Sequence, residues 1–354
     1  MANSDRKPSK TTDSSLLVPS TLSPANLLEL YRTMILSRAV DERVWTLNRQ
    51  GKAAIVASAQ GHEAAQIGSV NAMDPNEDLF FTYYRDIAVL ISLGMTPREV
   101  MLSFLAKDGE PMSGARQFPL HGAYPKLRVI NLSNVVGTHI PQAVGAALAA
   151  KMRGDKTVVI VYFGDGASSV GDCHEAMNFA AIHVLPVIFF CENNGFAISV
   201  PRHMQMAVDS VASRSEGYGM PGVEIDGTNI TAVHETTTEA VRRARSGDGP
   251  TLIDAKVERY LPHTSDDDDQ RYRDIEQIQE SRRHDPLKLL KSQLEEDGLL
   301  TTVIEEQFHA DAQSIVNDAT DFAEAAKYPG TAGFYDHVYA NQHQGSGHGN
   351  KDSD

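Results

Sequence analysis

Two polar tripeptides, each closing an apolar run, carry the most chemistry in this chain. Val158–Phe163 ends in Gly164-Asp165-Gly166, and Val187–Cys191 ends in Glu192-Asn193-Asn194. A GDG or an NNG alone is ordinarily only a turn. Here the two runs read as strands bracketing one helical segment, and strands joined that way lie parallel. Their carboxyl ends then emerge on one edge of the sheet, where open α/β sheets bind ligands. Asp165 and Asn194, 29 positions apart, are expected to share a Mg²⁺, a hard cation that takes carboxylate, amide and carbonyl oxygens together with phosphates.

The chain has 354 residues and a formal net charge of -15. A phosphate ligand therefore needs a local counter-charge. A helix N-terminus supplies only about 0.3–1 kcal/mol when exposed, so a metal is the stronger candidate. Gly164 and Gly166 permit close approach of backbone to phosphate oxygens. A helix starting at Ala167-Ser168-Ser169 would add free N–H groups at the same place.

The elements that must position these groups are legible around them. Ser23-Pro24 reads as an N-cap with proline at the first helical position. Leu27, Leu30, Tyr31, Met34 and Ile35 then follow helical spacing. A small-residue helix spans Pro141–Arg153, and Val223–Ile225, a turn at Asp226-Gly227 and a helix to Arg245 precede a strand from Thr251. The alternation predicts an α/β fold with a parallel sheet. Asp285-Pro286 should start one C-terminal helix, and Thr302–Glu305 reads as a capping box for another. Residues 1–22 and 336–354 are polar and expected to be a disordered arm and tail around an α/β domain at 23–335. The arm lacks an apolar signal core, which fits a prokaryotic cytoplasm better than a mitochondrial matrix. Cys173 and Cys191 give no disulfide framework. No apolar run has the ~20 residues of a membrane span, and the acidic balance argues against nucleic acid.

The chain resembles the alpha subunits of heterotetrameric thiamine diphosphate-dependent 2-oxo acid dehydrogenases, the decarboxylating component, and most of all the branched-chain type. The resemblance covers roughly residues 25 to 335. It is carried by GHEAAQIGS at 61–69, TYYRD at 82–86, ARQFPLHG at 115–122, THIPQAVGAALAAK at 138–151, the GDG…NN segment and LPHTSDDDDQRYR at 261–273. It implies the diphosphate-binding half of the thiamine diphosphate fold, with peripheral N- and C-terminal helices. Asp165, the Asn194 side chain and the Phe196 carbonyl match the Mg²⁺ ligands. Tyr83, Tyr84, Arg85, Asn134, Val136, Gly164, Asp165, Gly166, Ala167, Asn194, Phe196, Ile198 and His263 match cofactor-site positions. Arg85 is matched to the diphosphate, although on its own it reads as the partner of a surface ion pair with Asp86.

His263 matches the catalytic histidine that assists acyl transfer to a lipoyl group, and an imidazole suits proton exchange near neutral pH. Ile55, Tyr84 and His121 match positions near the substrate. The four aspartates Asp266–Asp269 suggest a solvated loop that Arg271 and Arg273 could pin back. Val170 stands where many relatives have an acidic residue or Gln. Asn134 and His139 depart from residues near a potassium site, so bound K⁺ is not expected. The resemblance places the glutamate that activates the cofactor on a beta subunit. It implies an α₂β₂ assembly, a lipoyl domain of a dihydrolipoyl acyltransferase as acyl acceptor, and a small 2-oxo acid substrate. Pyruvate- and acetoin-type subunits share nearly all these motifs, and a non-catalytic Mg-phosphate-binding subunit is the alternative from another class.

Overall fold

The computed structural model describes residues 22–132, 134–332 and 334–336. The expected arm, but for Leu22, and the expected tail, but for Asp336, lie outside the described residues. Seven strands form the central sheet: β1 (Leu79–Phe81), β2 (Gly122–Tyr124), β3 (Val129–Leu132), β4 (Val159–Gly164), β5 (Val187–Asn193), β8 (Gly222–Asp226) and β9 (Thr251–Lys256). Their spatial order is β2-β3-β1-β4-β5-β9-β8. Only the β2–β3 pair is antiparallel. A short hairpin, β6 (Phe196–Ala197) and β7 (Val200–Pro201), follows β5.

The central strands are apolar on both faces because both faces are covered. Ile160, Tyr162, Ile188, Phe190 and Ile253 enter one core with Val40 and Val44 of helix α1 (Pro24–Arg49) and Val233 and Val241 of the helix Ile230–Arg245. Val159, Val161, Phe163, Val187 and Phe189 enter the other, under the helices His139–Arg153 and Gly171–Ile182. Each Val or Phe fully buried this way stabilises by roughly 1.5–3 kcal/mol. A third cluster packs Leu30, Met34 and Ile35 of α1 against Leu290 and Leu294 of the helix Pro286–Glu296 and Ala312 of Thr302–Ala325.

β4 and β5 are laddered from Val159 opposite Val187 to Gly164 opposite Glu192, as the apolar runs require. The chain path reverses at β1: β3 adds on one side of it, β4 and β5 on the other. That is the switch point where a crevice opens beyond the carboxyl ends of the strands.

Several boundaries differ from the sequence reading, among them the helix read from Pro141, which begins at His139. Asp165–Ser169 is a 3₁₀ turn and the α-helix begins at Gly171. Its first turn lacks a side-chain cap, since Val170 at the N-cap has no hydrogen-bonding atom. The C-terminal helix is capped by Thr301, whose hydroxyl accepts from the Ile304 amide. The neighbouring Thr302 is already helical, so the capping box read there does not form.

Candidate functional site

Five neighbouring parallel strands deliver the candidate residues to one place. Asn134 and Val136 follow β3, Tyr83–Arg85 follow β1, Gly164–Ala167 close and follow β4, Asn194–Ile198 follow β5, and His263 follows β9. All of them but Gly195 line a cavity of about 400 Å³. The lining takes in Val135 and Ala197, inside the runs 134–136 and 194–198 that the resemblance matched to the cofactor site, and adds Gly137, His139 and Phe163. Ile55 and His121 are not among the lining residues. His121 stands just before β2, one strand further out along the same edge, its Nδ1 2.8 Å from the Pro119 carbonyl.

Asp165 is 1 % exposed, and its Oδ2 has no hydrogen-bond partner. Burial, with the Asp254 charge adding to it, pushes its carboxyl up to about 6. Its backbone carbonyl is held by the Ser168 hydroxyl (2.6 Å) and by Gln205 Nε2 (3.0 Å). Gly166 has a packing reason of its own, because a Cβ there would sit 2.8 Å from the Ala197 methyl.

The paired asparagines divide the work. Asn193 Nδ2 donates to Asp254 Oδ1 on β9 at 2.9 Å and is buried. Asn194 lines the cavity, and its Oδ1 accepts from the Phe196 amide at 3.2 Å. The Phe196 ring lies under the guanidinium groups of both Arg259 (5.4 Å) and Arg273 (5.1 Å). Arg259 also donates to the Ile198 carbonyl at 3.0 Å. Ile198 has φ 58°, a left-handed conformation that a β-branched side chain resists, and strain of this kind concentrates at ligand sites.

Arg85 is 1 % exposed and makes no surface pair with Asp86. Its Nη1 donates to the Ser58 carbonyl (2.5 Å), and its Nη2 faces the carbonyl (3.2 Å) and Nδ1 (3.4 Å) of His263. None of these acceptors is a carboxylate, so a buried cation faces the cavity without an anionic partner. Asp86 instead accepts from the Tyr83 amide at 2.8 Å. His263 is held by its own amide donating to Asp267 (2.8 Å) and by the Tyr84 ring at 5.8 Å. Burial, then the charges of Arg85 and Arg259, push its imidazole down to about 3. It is therefore neutral at pH 7, and with Arg85 donating to Nδ1 its proton sits on Nε2.

The aspartate-rich loop is only partly solvated. The Tyr272 hydroxyl donates to Asp267, Arg271 pairs with Asp268 at 3.2 Å, and buried Arg273 pairs with buried Asp269 at 3.6 Å. The Arg-Tyr-Arg run does fold the loop back.

Sequence reasoning missed a buried hub beneath the cavity. Glu192, fully buried on β5, takes His62 Nδ1 (2.6 Å), the Tyr83 hydroxyl (2.9 Å) and Gln66 Nε2 (3.0 Å) on one oxygen. Burial opposes its charge, but the His62 bond and then the Gln66 bond hold its carboxyl low. Burial, then the Glu192 charge, drives the Asp86 carboxyl well up. A carboxylate ending a wholly apolar strand run was the available signal.

These residues suit a metal-bound diphosphate: an orphaned carboxylate oxygen at the end of β4 and an unpaired guanidinium at the end of β1 face one cavity. Among the described residues no cluster of three His, Cys, Asp or Glu could hold a metal unaided. A site with one carboxylate thus needs amide, carbonyl and ligand oxygens to complete it.

A family model described as dehydrogenase E1 component matches residues 31–332. The chain is 46 % identical over 319 residues to "2-oxoisovalerate dehydrogenase subunit alpha" of Bacillus subtilis, covering 90 % of this chain and 97 % of that one. It is 37 % identical over 292 residues to "3-methyl-2-oxobutanoate dehydrogenase subunit alpha" of Mycobacterium tuberculosis, covering 82 % and 77 %. To the human mitochondrial 2-oxoisovalerate dehydrogenase subunit alpha it is 35 % identical over 319 residues, covering 90 % and 71 %.

Proposed function

The chain belongs to the dehydrogenase E1 component family, and on that premise we propose that it is the alpha subunit of a branched-chain 2-oxo acid dehydrogenase. It binds thiamine diphosphate through Mg²⁺, takes part in the oxidative decarboxylation of 2-oxoisovalerate or a close analogue, and passes the acyl group to a lipoyl domain. The observation that carries this reading is the pairing of Asp165 Oδ2, buried and unbonded, with Arg85, buried and free of any carboxylate bond, at one cavity.

Asp165, the Asn194 side chain and the Phe196 carbonyl hold the metal. Arg85 takes phosphate oxygens, as a planar guanidinium fork does well. The two arginines stacked on Phe196 hold its backbone in place while leaving its carbonyl to the cation. His263, neutral and carrying its proton on Nε2, can donate at the substrate and recover the proton, and Tyr84 braces its ring. When bound, thiamine diphosphate supplies the ring that stabilises a carbanion. The cofactor-activating glutamate comes from a beta subunit in an α₂β₂ assembly, which fits a cavity rimmed by exposed Val135, Val136 and Ile198. Among the described residues no helix is long and apolar enough to cross a membrane.

The test is decarboxylation by this chain co-expressed with its beta partner, dependent on thiamine diphosphate and Mg²⁺, with an artificial electron acceptor. Highest kcat/KM on 2-oxoisovalerate supports the proposal. Preference for pyruvate moves the substrate and keeps the mechanism; reduction of the acceptor with acetoin, which has no carboxylate to lose, would keep the cofactor site and replace decarboxylation by cleavage to acetaldehyde. Cofactor binding without turnover of any of them overturns the enzymatic reading in favour of a non-catalytic subunit.

A further inference from the structure

Arg85 is set in place by a segment that does not itself line the cavity. Its Nη1 donates to the carbonyl of Ser58. The N–H of that same peptide unit belongs to Ala59 and donates to Asp41 Oδ2 on α1 at 2.7 Å. A trans peptide points its N–H and C=O in opposite directions. One rigid plane therefore has a carboxylate on its N–H side and a guanidinium on its carbonyl side. Hydrogen bonds in such a series polarise one another.

Asp41 is 2 % exposed and lies on the side of the segment away from Arg85. Its other oxygen accepts from the Ser58 hydroxyl (2.6 Å) and Gln60 Nε2 (3.0 Å). Burial raises the Asp41 carboxyl, and the bonds from Ser58, Ala59 and Gln60 oppose that rise. One turn earlier on α1, Arg38 pairs with Glu63 at 2.5 Å, and Glu63 accepts from the Gly61 amide at 2.8 Å. The segment is thus fastened to α1 through Asp41 at Ser58–Gln60 and through Glu63 at Gly61. Upstream, Val56 exchanges two hydrogen bonds with Ser265, two residues beyond His263: its carbonyl accepts from the Ser265 amide (2.8 Å) and its amide donates to the Ser265 hydroxyl (3.2 Å). The segment 56–61 therefore touches both Arg85 and the loop that carries His263.

We propose that Asp41 is a positioning residue for Arg85, acting through the Ser58–Ala59 peptide and fixing from α1 the angle at which the guanidinium meets the diphosphate. The inference rests on the assignment of Arg85 to the diphosphate in the proposed function. A purely structural role for Asp41 would appear only in stability.

The experiment is a double-mutant cycle in the complex with the beta subunit, using Asp41→Asn, Arg85→Ala and the double variant. Thiamine diphosphate affinity is read by titration in the presence of Mg²⁺, alongside kcat and the denaturant midpoint without cofactor. Asn keeps one acceptor oxygen for Ser58 and Gln60 but turns an amide N–H toward the Ala59 N–H, so it disturbs the peptide that carries Arg85. Asp41→Asn should weaken cofactor affinity on the order of tenfold and add nothing to Arg85→Ala, because coupled residues are non-additive. Unchanged affinity in Asp41→Asn, or additive losses in the double variant, overturns the inference while leaving Arg85 on the diphosphate. If Arg85→Ala alone leaves affinity intact, the assignment of Arg85 falls and the inference falls with it. Should Asp41→Asn fail to assemble, Ser58→Ala removes one of the three anchors. It should weaken affinity about threefold, less than the loss of the Ala59 contact, and no change there overturns the inference equally.

Discussion

A buried carboxylate with one unbonded oxygen costs the folded chain free energy until a cation reaches it. Asp165 titrates at about 6 when folded, against an ordinary value of 3.8. The folded state therefore binds more protons between those pH values, and the chain loses stability as pH rises through them. Asp165→Asn, compared with the parent in chelator and without cofactor, should gain little at pH 3.8 and on the order of 3 kcal/mol above pH 6. Denaturant midpoints at the two pH values check this, and a pH-independent gain would contradict it. His263 has the opposite sign. Its folded value of about 3 lies below the ordinary 6.5, so its contribution is lost as pH falls below 6.5. His263→Ala should keep cofactor affinity within severalfold while reductive acylation of a lipoyl domain drops by roughly 10²–10⁴, the usual scale for losing a general acid–base. Full acylation by that variant would remove His263 from the mechanism.

At the scale of elements, the two helix starts show how capping chemistry sets boundaries. Thr301→Ala should cost about 1 kcal/mol and Thr302→Ala almost nothing, as measured by thermal unfolding. Equal costs would move the cap back to Thr302. Much of the sheet was readable, because strands buried on both faces leave unbroken apolar runs such as Val158–Phe163, and parallel pairing brings their ends to one edge. For the same reason the candidate residues at those ends come to one cavity, with the family resemblance supplying their expected roles. Gly137, Phe163 and the hub at Glu192 were harder. Glu192 meets His62 130 positions away and Tyr83 109 positions away, and no local periodicity reports such contacts. Asp41 was hidden likewise: on α1 it looks like one more polar helical position, and only the folded-back segment 58–60 shows why its carboxylate is buried.

For the molecule as a whole, the decisive feature is a cavity open on one side. Val135, Val136 and Ile198 line it and are 62 %, 55 % and 57 % exposed. Apolar groups gathered at a ligand site mark a surface meant to be covered. Val136→Glu should block assembly with the beta subunit while shifting the stability of the isolated chain by no more than about 0.5 kcal/mol, as surface changes usually do. Gel filtration of the co-expressed pair decides it, and an intact heterotetramer would place the interface elsewhere. The same rim bears on how the two subunits must be made. Any chain synthesised in excess of its partner keeps these aliphatic groups wet and becomes a target for self-association, chaperone capture and proteolysis. On the proposed assembly, balanced production of the two polypeptides would keep these three side chains covered.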